Sequence, residues 1–201
     1  MFIKSLAIAA LLCASFTSKA QDYYHGLGAQ VNYGLYSLSY TSPSSVYNGT
    51  ASAAVPGIFY KASLAFDVSR STNFAISSYP FLGLNANFNS QTGGSGAFGV
   101  ELPILAEFYF GDLDDPCFFL GAGFSAAFLA SSDVFGGATA GPVVGPQLEL
   151  GGQFNFRDKL IGLRFAYTYG VNNTKNIDSD ITIVKDTRSM FSFGGYYLLG
   201  Q

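Results

Sequence analysis

Six charged residues in this 201-residue chain lie at the polar positions of segments in which polar and apolar side chains alternate. Two are cations and four are carboxylates, a set that can form ion pairs or line a path for ions. A β-strand points successive side chains to opposite faces, so the spacing places all six on one side of a sheet. The predicted charge network consists of Lys61, Asp67, Glu101, Glu107, Glu149 and Arg164.

The opposite face of the same segments is almost entirely apolar. From residue 98 to residue 110 every second side chain is apolar, and Glu101 and Glu107 lie between them. In a closed sheet with this face outward, the apolar side chains would meet lipid. The side chains predicted to face lipid are Ala62, Leu64, Leu102, Ile104, Leu148 and Leu163.

The composition favours a membrane β-barrel over a soluble domain. Charged residues make up 11% of the chain, against about a quarter in soluble domains. Beyond the N-terminal segment no run reaches the ~18 consecutive apolar residues of a membrane helix. A closed barrel satisfies every backbone polar group between strands, so it is the membrane fold that remains. The net charge of −3 argues against a nucleic-acid partner, because such proteins carry basic patches.

Residues 1–20 are predicted to be a secretory signal peptide, and residues 21–201 a single outer-membrane β-barrel domain. Residues 1–4 form a short basic start, and residues 6–13 form an apolar run too short to span a bilayer. Small residues at Ser18 and Ala20 predict cleavage after Ala20. Only Cys117 then remains, so no internal disulfide is expected.

The alternation predicts an all-β fold, a transmembrane antiparallel up-and-down β-barrel of eight strands. After Leu35 the alternation changes phase, which predicts a bulge or a strand that continues above the membrane. Short connections alternate with four longer ones, at residues 41–56, 89–97, 131–142 and 172–187. Outer-membrane barrels have short periplasmic turns and longer external loops, so both termini are predicted to be periplasmic. The strands are predicted at 27–35, 57–69, 74–88, 98–110, 118–130, 144–156, 160–171 and 188–200.

With these features the chain resembles the small eight-stranded outer-membrane barrels, such as the OmpA transmembrane domain, OmpX and the opacity-type and PorT-like proteins. The resemblance covers everything after residue 22 and rests on architecture, because no short motif is diagnostic. It implies a bacterial outer-membrane location, contacts with outer-membrane lipid and lipopolysaccharide, and insertion by the barrel-assembly machinery. An extracellular partner would bind through the four longer connections. Many such barrels end in Phe or Trp, whereas this chain ends in Gln201, so Phe193 and Tyr197 are the candidate assembly signal.

Two functions are compatible with the predicted network. The interior of an eight-stranded barrel is just wide enough for its own side chains. The first interpretation is therefore a structural or surface-interaction role, with a lumen filled by polar side chains. The alternative is a narrow channel for ions or small solutes, gated by rearranging ion pairs. A soluble secreted barrel such as a lipocalin would turn the apolar face inward, and the scarcity of charge argues against it.

Depth along the strands, counted from the short turns, predicts two charged layers. Arg164 is predicted to pair with Glu107 or Asp67 in a lower layer. Lys61 is predicted to pair with Glu149 or Glu101 in an upper layer. Unpaired charges in a low-dielectric interior are costly, so each should find a partner or stay hydrated.

Other candidate chemistry is sparse. Barrel-embedded lipid A deacylases use a Ser–His–acid set near the outer rim, whereas His25 is predicted at the opposite end, so no enzyme is predicted. Asp112, Asp114 and Asp115 form an acidic turn whose aspartates act as turn formers or touch Ca²⁺. No cofactor is predicted, and the turn is assigned no metal.

Overall fold

A computed structural model describes residues 22–42, 45–69, 71–89, 93–131, 143–157, 159–172 and 182–200. The predicted signal peptide at residues 1–20 lies outside them. The described part of the chain contains no helix that is long and apolar enough to cross a membrane.

The described residues form nine β-strands in one antiparallel sheet. The third and fourth strands are two halves of one barrel strand, interrupted at Tyr79 and Pro80, because Pro80 has no backbone N–H to donate to a ladder. Pairing of the first strand with the last, for example Leu27 with Tyr197, closes the sheet into an eight-stranded barrel. The strands are β1 (Asp22–Ser42), β2 (Ser45–Ser69), β3 (Thr72–Ser78), β4 (Phe81–Asn89), β5 (Gly93–Phe110), β6 (Cys117–Ser131), β7 (Val143–Phe156), β8 (Lys159–Asn172) and β9 (Thr182–Gly200).

The first two strands are much longer than predicted. They pair without a register shift from Asp22 with Ala65 to Ser42 with Ser45, so the predicted long connection at residues 41–56 is wrong. The phase change after Leu35 predicted a bulge or a continuing strand; β1 does continue, to Ser42, and its register with β9 shifts between Ser39 and Tyr40. The extended part of β1 pairs with β2 on one side and with β9 on the other, as far as Thr41 with Thr182. Strands that extend beyond lipid need no apolar face, so the polar composition of this part resembled that of a loop. In the same way β4 and β5 leave only residues 90–92 of the predicted loop 89–97 between them, and β9 begins at Thr182, inside the predicted loop 172–187. Residues 132–142 lie outside the described residues.

The predicted apolar face is the outer face of the barrel. Its aliphatic side chains are strongly exposed, for example Ile104 at 60% and Leu148 at 62%, and the smaller Ala62 is half-buried. Leu64, Leu102 and Leu163 are also exposed. The predicted orientation of these strands is therefore confirmed, and the apolar surface lies where a bilayer would contact it.

Inward-facing glycines make room for aromatic rings from neighbouring strands. Gly162 is the register partner of Tyr196, and a Cβ atom at Gly162 would overlap the tyrosine ring. Gly28 is the register partner of Phe59, and a Cβ atom there would lie 2.5 Å from Cζ of the ring. These cross-strand pairs let large rings lie flat across the narrow interior without displacing the backbone.

The end of the barrel with the short connections, called the lower end here, is closed by the turn at residues 111–116. Gly111 has a φ of 132°, a conformation that glycine adopts without strain, and its N–H donates to the Ser71 carbonyl at 3.0 Å. Asn73 Nδ2 donates to the Gly111 carbonyl at 3.1 Å. Leu113 then points inward and is buried with Tyr24 and other residues of the lower core, so it plugs this mouth.

Candidate functional site in the barrel lumen

The structure places five of the six predicted network residues inside the barrel. Asp67 is the exception, because it is exposed near the end of β2, where the register with β3 shifts between Asp67 and Ser69. Its predicted contact with Arg164 is therefore wrong. The buried members of the network, each at most 4% exposed, are Lys61, Glu101, Glu107, Glu149 and Arg164.

Arg164 forms an ion pair with Glu149. Its Nη2 lies 2.5 Å and its Nε 3.2 Å from Glu149 Oε2, so the guanidinium donates twice to one carboxylate oxygen. The two side chains project from the adjacent strands β7 and β8, two register positions apart. Counting depth from each turn ignored the stagger of tilted strands, so the prediction that Arg164 pairs with Glu107 is wrong.

A row of hydrogen bonds continues from Arg164 across the upper lumen. Arg164 Nη1 donates to Gln30 Oε1 at 2.6 Å, and Gln30 Nε2 donates to Asn32 Oδ1 at 2.8 Å. Asn32 Nδ2 then donates to Glu101 Oε2 at 3.0 Å. Ser125 Oγ donates to the other Glu101 oxygen at 2.7 Å. The Glu101 carboxylate is thus held by neutral donors, and the two amides connect it to the guanidinium.

Lys61 lies in a cage of aromatic side chains. Its Nζ donates to the hydroxyls of Tyr79, Tyr109 and Tyr196 at 3.1, 2.7 and 3.1 Å. The same atom lies 4.6–5.3 Å from the centroids of these rings and of Phe119, distances at which a cation is attracted to an aromatic face. Among the described side chains no carboxylate forms a direct salt bridge with Lys61. The predicted pairs with Glu149 or Glu101 are therefore wrong.

Two of these tyrosines connect Lys61 to Glu107. Tyr79 and Tyr109 donate their hydroxyl hydrogens to Glu107 Oε1 and Oε2, each at 2.6 Å. Ser77 Oγ donates to Oε2, also at 2.6 Å. Each tyrosine hydroxyl accepts from the ammonium and donates to the carboxylate, so the two charges form an ion pair bridged by hydroxyl groups. Hydrogen bonds to ionised groups are about twice as strong as neutral ones.

The two charged clusters meet at a layer of aromatic rings that crosses the lumen. Phe59, Tyr79 and Tyr196 pack with ring centroids 5.8–6.4 Å apart. The guanidinium of Arg164 lies 4.1 Å from the centroid of the Tyr79 ring, and Lys61 contacts the hydroxyl of the same residue. We call these three rings the aromatic septum. Each of the three rings is at most 3% exposed, so they are packed against their neighbours inside the barrel.

Several lumen residues were not identified from the sequence, although the alternation contained the signal. Tyr109 follows Glu107 by two positions and Tyr79 follows Ser77 by two, so both occupy the polar face. Arg188 has the opposite parity to the exposed Phe191, and it is buried. The predicted network contained none of these three residues. The lumen is accordingly not filled by polar side chains alone, because Phe59, Phe119 and Leu105 are also fully buried there.

The buried charges balance within the part of the chain that the structure describes. Lys61, Arg164 and Arg188 are the buried cations. Glu101, Glu107 and Glu149 are the buried carboxylates. Because the two sets are equal, the described lumen has no formal excess of either charge.

The remaining candidates lie away from this network. His25 is half-buried and stacks on Tyr23 with ring centroids 5.7 Å apart, near the start of β1. Asp112, Asp114 and Asp115 are exposed in the lower turn, and Tyr24 donates weakly to Asp114 at 3.4 Å. The described residues contain no group of three side chains suited to hold a metal ion.

Comparison with known proteins gives structural neighbours only. No family model matches the chain, and no curated protein matches it. The outer membrane protein OprG from Pseudomonas aeruginosa is 12% identical with a TM-score of 0.47, covering 91% of this chain and 100% of its own. The attachment invasion locus protein Ail of Yersinia pestis, solved with the heparin analogue sucrose octasulfate, is 11% identical with a TM-score of 0.40, covering 87% and 99%. Neisserial surface protein A is 13% identical with a TM-score of 0.39, covering 84% and 96%. The fold predicted from the sequence, an eight-stranded closed antiparallel β-barrel, is confirmed by the chain's own strand pairing.

Proposed function

We propose that this chain is an integral β-barrel of the bacterial outer membrane with a structural or surface-interaction role and a sealed lumen. The observation that carries the proposal is the apolar outer surface. All eight barrel strands expose large apolar side chains, for example Leu27 at 52%, Phe124 at 65% and Phe193 at 60%. Soluble monomers rarely expose such continuous apolar surface, whereas a barrel in lipid requires it. A lipocalin-like soluble barrel would have the opposite arrangement.

We expect arginine at Ile104 to cost about 2–4 kcal/mol of folding free energy in a bilayer, the range for a charge near the midplane. Ile104 lies midway along the apolar segment of β5 and is 60% exposed. Reversible urea unfolding in lipid vesicles would measure the change, with Ile104→Ala as the control for lost side-chain volume. If the arginine variant were no less stable than the alanine variant, this face would not contact lipid.

The packed lumen supports the sealed interpretation over the channel. The septum, the caged Lys61 and the inward Leu113 occupy successive parts of the interior, and each is almost fully buried. Opening a path would require breaking the hydroxyl-bridged contact of Lys61 with Glu107 or displacing the rings. Either change leaves charges unpaired in a poorly solvated space, which is costly.

We expect the wild-type barrel to be electrically quiet in planar lipid bilayers. Truncating Lys61 to alanine removes the centre of the cage and should produce intermittent leak currents. The outward substitution Leu148→Ala is the matched control and should leave the barrel quiet, because this side chain is 62% exposed on the outer face. A steady, ion-selective conductance of the wild type would overturn the sealed lumen and establish the channel.

The orientation and the partners complete the proposal. Both termini and the short turns would face the periplasm, and the barrel-assembly machinery would insert the chain. Lipopolysaccharide and an extracellular partner would meet the opposite end. There β1 and β2 extend to Ser42 and Ser45 and would supply a paired β-sheet wall in place of the predicted loop.

A further inference from the structure

The exposed cations that the structure describes at the lower end of the barrel lie together, at the hairpin between β7 and β8. They are Arg157 and Lys159. Among the described side chains the single ion pair involves neither of them, so no described carboxylate neutralises them. Arg70 and Asp158 lie outside the described residues. The exposed carboxylates of this end belong to other strands and another turn: Asp22, Asp67, Asp112, Asp114 and Asp115.

Arg157 has a backbone conformation that arginine rarely adopts. Its φ is 50°, and it is the one described residue other than glycine with a positive φ. Phe156 pairs with Lys159, so residues 157 and 158 form a two-residue hairpin loop, in which Asn, Asp or Gly usually supplies a positive φ. Strained residues of this kind cluster at functional sites. The hairpin therefore carries a positive charge at its tip at a cost to the turn.

Both cations lie over aromatic rings of the outer face. Arg157 Cζ is 5.4 Å from the centroid of the Phe156 ring, and Lys159 Nζ is 5.9 Å from that of the Tyr197 ring. Lys159 is the register partner of Phe156, so these two side chains leave the sheet on the same side. The positive charges thus lie beside the lipid-facing surface and not inside the lower mouth.

Exposed apolar side chains lie on the strands beside the two cations. Phe154 and Phe156 on β7 are 40% and 53% exposed, and Leu199 on β9 is 54% exposed. A ligand that fits this arrangement joins a negative charge to a long apolar part, as an anionic phospholipid does. A free phosphate ion would leave the apolar surface without a partner. A headgroup with its own ammonium would place a third cation beside Arg157 and Lys159, which is unfavourable.

We propose that the β7–β8 hairpin binds the phosphate group of an anionic phospholipid, such as phosphatidylglycerol, through Arg157 and Lys159. The acyl chains of this lipid lie on Phe154, Phe156 and Leu199. The site rests on the proposed membrane location, and it adds a preferred lipid at one sector of the lower end. The neighbouring turn at residues 111–116 carries three aspartates and no cation, so it binds no such lipid.

Single tryptophan reporters test the site, because the chain contains no tryptophan. Phe156→Trp keeps an aromatic ring beside Arg157. Phe110→Trp is the matched control at the last residue of β5, before the acidic turn. Each barrel is folded in phosphatidylcholine vesicles that contain brominated phosphatidylglycerol or brominated phosphatidylcholine, and quenching of tryptophan fluorescence gives the relative affinity for the two lipids. We expect a preference for phosphatidylglycerol of about fivefold or more at Phe156→Trp, because one cation near an anionic lipid contributes up to that factor, and none at Phe110→Trp.

The two cations are then replaced in the Phe156→Trp background. Lys159→Gln and Arg157→Asn should each lower the preference by about twofold or more, and together they should remove it. Arg157→Asn should leave the barrel at least as stable in phosphatidylcholine alone, because asparagine tolerates a positive φ. A preference that is equal at the two reporters, or that survives the double substitution, would overturn the inference. A loss of stability in Arg157→Asn would give the arginine a structural role and overturn its assignment to the lipid.

The same experiment separates this inference from the proposed function. Quenching of both reporters by brominated phosphatidylcholine would support the membrane location whether or not one lipid is preferred. Absence of quenching by either brominated lipid, at both reporters, would contradict the membrane location itself and the lipid site with it.

Discussion

Replacing Arg164 with alanine should lower the free energy of unfolding by about 3–5 kcal/mol, the range for removing one partner of a buried ion pair. The substitution leaves the Glu149 carboxylate buried without its cation, and it removes the donor to Gln30. It also removes the guanidinium that packs on the Tyr79 ring. Reversible unfolding of the barrel in lipid vesicles gives the measurement. Because the chain contains no tryptophan, unfolding is followed by gel mobility and circular dichroism.

The partner assignment has its own control. Arg164→Ala combined with Glu149→Gln should be more stable than Arg164→Ala alone, because the stranded charge is removed. Glu101→Gln in the same background should not restore stability to that extent, since Glu101 is held directly by Asn32 and Ser125. Equal recovery by the two glutamine substitutions would contradict the observed pairing.

The second large effect is expected at Lys61. Lys61→Met keeps most of the side-chain volume and removes the ammonium, so it should cost about 3–5 kcal/mol as Glu107 loses its bridged counter-charge. Tyr79, Tyr109 and Tyr196 would also lose the donor that their hydroxyls share. The same vesicle unfolding experiment would measure the loss.

Compensation again distinguishes the partners. Glu107→Gln should recover part of the loss in Lys61→Met, because two tyrosines connect these charges. Glu149→Gln should not, because Glu149 is paired with Arg164. A larger recovery with Glu149→Gln would mean that the counter-charge of Lys61 is Glu149, as the sequence analysis predicted, and not Glu107.

The sequence predicted the two faces of the barrel well because alternation is a local property. Whether Ile104 points outward and Glu107 inward depends only on a period of two within one strand. The polar ribbon formed by residues 36–42 and 45–51 could not be recognised in that way, because outside the lipid neither face needs to be apolar. Its strands are specified by pairing with each other and with residues 182–188 of β9, which no single segment reveals.

The partners inside the lumen were not predictable from depth because they depend on how the strands are staggered around the closed sheet. Arg164 and Glu149 are neighbours only after β7 and β8 adopt their observed register. The Lys61 cage adds a second difficulty. Tyr109 and Tyr196 are far apart in sequence, and their hydroxyls converge on one ammonium only after the three intervening strands, β6 to β8, have paired and the barrel has closed.

The inward glycines give the barrel two different kinds of tolerance to evolutionary change. On the outer face a fluid surrounds each side chain, so leucine, valine and phenylalanine are nearly interchangeable there and only charge is selected against. On the inner face the Tyr196 ring occupies the space where a side chain of Gly162 would lie, so even one added methyl group would overlap the ring. Sequences descended from this chain would therefore drift freely at alternate positions, while each glycine and its ring could change only together.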